Sequence, residues 1–163
     1  MALSLIIGIA SSLIATGVFI TLSELFRRVL IPWYSDKIYR GVRIDGQWDI
    51  SQVGGKDIPD SAKGKIVMTF SLVQKGDKIS GMYSHKKESD KLEDRYLLEG
   101  VVRDMYFLAT AIPESNRRVD GISFLMYIDY HNSKLTLNGA MLCQAEPGEV
   151  ASEEGMRFQL TSS

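Results

Sequence analysis

"GISFLMYIDYHNSKLTLNGAMLCQ" (residues 121–144) decides the fold. Its two runs, 121–130 and 134–144, are rich in β-branched and aromatic side chains and flank His131-Asn132-Ser133, a stretch of turn chemistry. They read as an antiparallel hairpin, and the same pattern continues in both directions. "VRIDGQWDISQV" (42–53) alternates, with Ile44, Trp48 and Ile50 on one face. "KIVMTFSLVQ" (65–74) and "KISGMYSH" (78–85) flank a turn at Lys75-Gly76-Asp77, and "RYLLEGVVR" (95–103) and "MYFLATAI" (105–112) flank a tight turn at Asp104. "GMRFQLTS" (155–162) follows at the C-terminal side. Eight such runs, with no soluble helix pattern between them, predict an all-β domain. Neighbouring antiparallel strands lose their exposed edges by closing, so the expected fold is an eight-stranded antiparallel up-and-down barrel. Eight is the size whose interior is either filled by side chains or holds one small ligand.

A different element precedes the strands. From Ala2 to Ser23 there are 22 residues without a charge, and about 20 helical residues cross a hydrocarbon core. A secretory signal would need a basic stretch before a shorter apolar run and a small-residue cleavage site, none of which is present. The segment therefore reads as a transmembrane helix. Arg27, Arg28, Lys37, Arg40 and Arg43 follow it and nothing basic precedes it, which places the N-terminus outside and the barrel in the cytoplasm. Pro32 is expected to end the helix, with Trp33, Tyr34 and Tyr39 forming an aromatic belt. The expected organisation is a membrane helix region over 1–31, a juxtamembrane linker over 32–41 and a barrel over 42–163. Cys143 is the single cysteine, so no disulfide framework exists, in keeping with a reducing compartment. Ser4, Gly8, Ser12 and Thr16 recur every fourth residue, a small-residue seam that lets helices approach closely in lipid.

Composition and motif content narrow the function. With 45% hydrophobic and 24% charged residues the chain is globular in character, and a net charge of −1 offers no footprint for duplex nucleic acid. His85 and His131, the two histidines, are each placed in or beside a predicted turn. No zinc spacing, nucleophile elbow or phosphate-cradling glycine motif occurs. Asp129, His131 and Ser133 read as a solvated hairpin end and Cys143 as a core residue. "EPGEVASEE" (146–154) and the charged run at 86–95 read as solvated loops. No catalytic residue, metal site or cofactor is expected, and the chain reads as a non-enzyme. Phe124 to Ile128 and Tyr106 to Leu108 are apolar on both faces; one face points inward and the other is a candidate contact surface for a neighbour or a membrane.

A membrane helix followed by "GVRIDGQW" and an eight-strand barrel resembles the transmembrane β-barrel effectors of bacterial CBASS antiphage signalling, associates of cGAS/DncV-like nucleotidyltransferases. The resemblance covers the whole chain as architecture. The G-x-W at Gly46 to Trp48 is shared with lipocalin- and avidin-like barrels. It implies a barrel at the bacterial inner membrane that binds a cyclic dinucleotide, oligomerises and disrupts the bilayer. Family members are often described with two membrane spans, whereas here "VLIPWY" (29–34) is too short to be a second one and carries a proline.

Such a ligand presents flat bases and anionic phosphates, which call for aromatic platforms and basic donors. Trp48, Tyr83, Tyr106 and Tyr127 are the candidate platforms, and Arg43, Arg95, Arg103 and Arg157 the candidate charges. Thr110, Asn138 and Gln159 are candidates for reading base edges. The competing reading is a membrane-tethered, lipocalin-like carrier or scaffold for an apolar ligand or partner protein. A reporter fused after Ser163 is expected to behave as cytoplasmic; a periplasmic readout would put the barrel on the wrong side for a cytosolic messenger.

Overall fold

The computed structural model describes residues 2–59, 66–87, 93–115, 120–131, 133–146 and 149–162. The chain divides into two compact units, 1–39 and 40–163. The first is helical: α1 (Ala2–Leu25), one π-helical turn (Phe26–Leu30) and α2 (Ile31–Ile38). Residues Ile6–Leu30 form a helical stretch long and apolar enough to cross a membrane, with none of it buried within the chain. Three of its hydroxyls are turned back on the helix: Ser11 donates to the Gly8 carbonyl, Thr16 to Ser12 and Thr21 to Gly17, at 2.9–3.0 Å. No hydroxyl among these three needs an outside partner, which suits an apolar surround.

Pro32 does not end this helix. The N–H of Ile31 reaches back five residues to the Phe26 carbonyl, and Pro32 falls in the first turn of α2. A proline at the start of a helix forfeits no needed N–H, and the wider turn before it resets the ladder. The segment expected as a linker is accordingly helical as far as Ile38. Arg28 pairs with Glu24, and the Lys37 ammonium lies 5.1 Å from the Trp33 ring centroid.

The second unit is the barrel. Its strands are β1 (Gly46–Val53), β2 (Lys56–Asp57), β3 (Ile66–Lys75), β4 (Lys78–Lys87), β5 (Asp94–Arg103), β6 (Tyr106–Pro113), β7 (Ile122–His131), β8 (Lys134–Glu146) and β9 (Glu149–Ser162). All are antiparallel, in the order β2-β1-β3-β4-β5-β6-β7-β8-β9, and β1 also pairs with β9. That last pairing closes eight strands into a barrel and leaves β2 as a short arm on β1. Each of the eight predicted runs is a strand. Two expectations need correction. The acidic run at 146–154 is no loop on its described residues: Glu146 pairs with Glu149 and Gln144 with Val150, so β8 and β9 extend as a hairpin. His85 lies within β4, opposite Met68 and Asp94, and not in a turn. Of the charged run at 86–95, residues 88–92 lie outside the described residues.

The interior is packed with rings. Phe70 has Phe158 at 4.4 Å, Phe124 at 5.0 Å, Tyr83 at 5.3 Å and Phe107 at 6.0 Å between centroids. Trp48, Phe70, Tyr83, Phe107 and Phe158 are fully buried. Alternation explains the choice of face: on β7, Ile122, Phe124, Met126 and Ile128 are buried while Leu125 and Tyr127 stand outside. At Gly81 the strands approach so closely that a Cβ would lie 1.9 Å from the Ser71 carbonyl oxygen, which excludes any larger residue there.

One end of the barrel is sealed by the chain entering it. Ile44 is fully buried there, and the Trp48 indole N–H donates to its carbonyl at 3.0 Å. Gln74, 3% exposed, holds this segment on every side. Its amide oxygen accepts from the Ile44 N–H (2.8 Å), its amide nitrogen donates to the carbonyls of Gly76 (2.8 Å) and Val42 (3.3 Å), and its own N–H donates to Asp45 (3.1 Å). Replacing Gln74 with Leu strands the buried Ile44 N–H, a loss of about 2–3 kcal/mol. The Gln74→Leu barrel is expected to melt about 10 °C lower, followed through the near-UV signal of Trp48; an unchanged midpoint would show that the clamp does not hold the fold.

Candidate functional site

Register brings outward-facing residues of several strands into rows. One runs across five strands: Arg103 opposite Tyr106, Tyr106 opposite Tyr127, Tyr127 opposite Asn138, and Asn138 opposite Arg157. Closing eight strands turns the wall by about 45° per strand. The four residues from Tyr106 to Arg157 therefore share one flank of the barrel, with Arg103 at its margin. Tyr106 and Tyr127 are 48% and 43% exposed, with ring centroids 5.4 Å apart and planes at 65°. Arg157 donates from Nε to the Asn138 Oδ1 at 2.6 Å, and Asn138 donates to the Thr136 hydroxyl at 3.0 Å. That chain fixes the guanidinium and uses one of its five donors. Leu108 and Leu125, paired beside the tyrosines and exposed, give the flank an apolar border.

The remaining candidates lie elsewhere. Trp48 and Tyr83 are part of the filled interior. Burial, reinforced by the charge of Glu153, pushes the Tyr83 hydroxyl far above the usual phenol range, so it stays protonated. Thr110 faces outward on β6, opposite Ser123. Arg95, paired with Glu93 at 3.4 Å, lines a cavity of about 200 Å³ with Asp94, Tyr96 and Pro113. Arg43 is at the sealed end, bonded to Asp45 and to the Gln74 carbonyl. Gln159 adjoins the tyrosine–arginine flank: it sits two residues beyond Arg157 on β9 and opposite Thr136. In the helical unit, Gly8 has nothing within 4 Å of where a side chain would begin, and Ser12 and Thr16 are exposed. The side chain of Ser4 lies outside the described residues.

Gln159 also lines a groove of about 530 Å³ with Asp49, Ile50, Ser51, Asp57, Ile58, Val67, Met68, Thr69, Lys134, Leu160 and Thr161. The groove arises from a fork. β1 pairs with β9 along one edge from Gln47 to Gln52; on its other edge it pairs with β3 from Gly46 to Asp49, opposite Leu72 to Thr69, and then with β2 at Gln52 and Val53. Among the described residues the wall between β1 and β3 is open beyond Asp49, and β2 forms one side of the opening. Asp49 and Thr69 escaped the sequence reading because the fork depends on three-way pairing, which alternation along β1 does not reveal. Gln74 did leave a signal, an amide at an inward position of the apolar run 66–75.

These features can be set beside known proteins. The sequence matches no family model and no curated protein sequence. Three solved structures are similar in shape. A complex of short afifavidin with biotin superposes with a TM-score of 0.56 at 14% identity, covering 80% of this chain and 98% of that one. The rhizavidin–biotin complex gives 0.51 at 13% identity, covering 72% and 100%. Intact afifavidin in its apo form gives 0.52 at 13% identity, covering 81% and 91%. The fold is avidin-like. Identity this low shows the fold alone.

If the Arg157–Asn138–Thr136 chain orders this flank, Asn138→Ala should free the Arg157 side chain while the filled interior keeps the barrel folded. Side-chain NMR of the arginine Nε–H is expected to show loss of its slow exchange; unchanged protection would mean the bond does not form in solution.

Proposed function

We propose that this chain is a membrane-anchored antiphage effector of the CBASS type. Its barrel binds a cyclic dinucleotide made by a cGAS/DncV-like nucleotidyltransferase, and binding promotes oligomerisation and disruption of the bacterial inner membrane. The observation that carries the reading is the outer flank, where two exposed tyrosine rings, a fixed guanidinium and an amide are gathered on adjacent strands. Exposed rings offer stacking faces to bases, and an oriented arginine offers paired donors to a phosphate. The filled interior favours the wall over the axis as the place for so large a ligand. The exposed helix supports the membrane half of the reading. The hydroxyls of Ser11, Thr16 and Thr21 are internally bonded and Gly8 is open to close approach, so a second helix can pack against it in lipid.

A second reading has one observation in its favour. Two of the structural neighbours are biotin complexes, which supports a tethered carrier of a small ligand.

The test uses the full chain in lipid nanodiscs. Cyclic di- and trinucleotides, fatty acids and biotin are compared by thermal melting, where ligand at 100 times its Kd stabilises by about 2.7 kcal/mol. A cyclic dinucleotide is expected to raise the midpoint, and Tyr127→Ala with Arg157→Met to weaken binding by at least about tenfold. A response to fatty acids or biotin with none to the cyclic nucleotides would favour the carrier. Gly8→Leu/Ser12→Leu is expected to insert and bind normally, yet neither crosslink nor arrest growth when the messenger is produced; unchanged toxicity and crosslinking would reduce the helix to an anchor.

A further inference from the structure

The fork between β1 and β3 combines a groove with a set of unengaged polar side chains. Asp49 lies opposite Thr69 on one neighbour and opposite Gln159 on the other, so three polar groups stand side by side on adjacent strands, with Cβ atoms about 5 Å apart. Other polar groups of the groove are already engaged within the barrel. Ser51 donates to the Arg157 carbonyl, Thr161 to the Gln47 carbonyl, and Asp57 accepts from Gln52 at 2.8 Å. Among the described residues, the side chains of Asp49, Thr69 and Gln159 make no hydrogen bond to the protein or to one another. Ile58, Val67 and Leu160 supply apolar walls beside them.

The arm that encloses the groove is held in place by a close contact. The Gly55 N–H donates to the Gly155 carbonyl at 2.9 Å. Gly155 has φ of +66°, and a Cβ on it would lie 2.4 Å from the Gly55 nitrogen. Only glycine serves at that position, by conformation and by space.

We propose that this groove binds a planar group presenting two adjacent N–H donors, with Asp49 as the acceptor of both. A carboxylate takes such a pair as two parallel hydrogen bonds. Gln159 can donate to an acceptor beside the pair, and Thr69 can donate or accept on the other side. An anion is disfavoured by Asp49 and Asp57, against which Lys134 is the single cation of the lining among the described residues. A metal is disfavoured too, since among the described residues no group of three His, Cys, Asp or Glu could hold one. Two ligands carry the required edge: guanine, through N1–H and N2–H₂ beside O6, and a guanidinium such as that of agmatine. Adenine places a lone pair next to its amino group, so Asp49 repels it. The guanine source rests on the nucleotide reading above; the donor-pair chemistry does not.

The experiment follows the backbone amides of Asp49, Thr69 and Gln159 by NMR in the full-length, isotope-labelled chain in nanodiscs. Guanosine, adenosine and agmatine are added separately, and cyclic di-GMP is compared with cyclic di-AMP. Guanosine, agmatine or both are expected to shift the three amides, and adenosine to leave them. Asp49→Asn should weaken the effective ligand about tenfold or more, with an unchanged melting temperature because Asp49 is exposed. Asp57→Asn should retain binding. Agmatine shifting the groove while no cyclic dinucleotide binds would support the inference and remove the nucleotide reading. Cyclic dinucleotides that bind equally well, with Asp49→Asn unaffected, would overturn the inference and leave that reading standing. Silence of the three amides toward both guanosine and agmatine would also overturn it.

Discussion

β1 has two edges and three partners. It must pair with β9 to close the barrel, with β3 to continue the sheet, and with β2 to hold the arm. It meets the demand by dividing its length. One edge serves β9 from Gln47 to Gln52, with shifts of register at Gln47/Trp48 and Ile50/Gln52, while the other serves β3 up to Asp49 and β2 at Gln52 and Val53. Such irregularities bend and twist a strand, and they occur at barrel rims and beside functional sites. The open seam, the overhanging arm and the cluster of Asp49, Thr69 and Gln159 all descend from this division.

The packed interior imposes a second constraint. Side chains fill an eight-stranded barrel when its inward positions are large, and here they include Trp48, Phe70, Tyr83, Phe107 and Phe158. Chemistry offered to a partner by the middle of this barrel therefore has to be carried on its outer wall. There, exposed tyrosine rings and leucines alternate with the ordered Arg157–Asn138 pair. The avidin-like shape fixes where the strands lie, and the outward residues decide what the wall can recognise.

The strands were legible in the sequence because their inward faces are mostly apolar and the turns carry their own chemistry. Asp104, with φ of +54°, and Gly76, with +64°, sit where turns were expected. What escaped had a physical reason each time. β9 begins at Glu149 because a hairpin solvated on both faces tolerates charge, so its acidic residues resembled a loop. β1 begins at Gly46 and not at Val42 because Gln74 captures the preceding backbone before it can join a ladder. The helix passed Pro32 because a π-turn absorbed it. Of the candidate site residues, Tyr106, Tyr127, Asn138 and Arg157 come together through cross-strand register, which no single strand encodes. Trp48 and Tyr83 went inward by the same alternation that made them conspicuous.

The sealed end has a mechanical consequence. Tension entering the barrel along the chain at residue 40 first meets the buried Ile44 side chain and the bonds of Gln74 to Val42, Ile44 and Asp45. Only after these yield would load reach the ladder of β1. Parallel bonds loaded together resist more than bonds opened one at a time, so the clamp acts as strain relief.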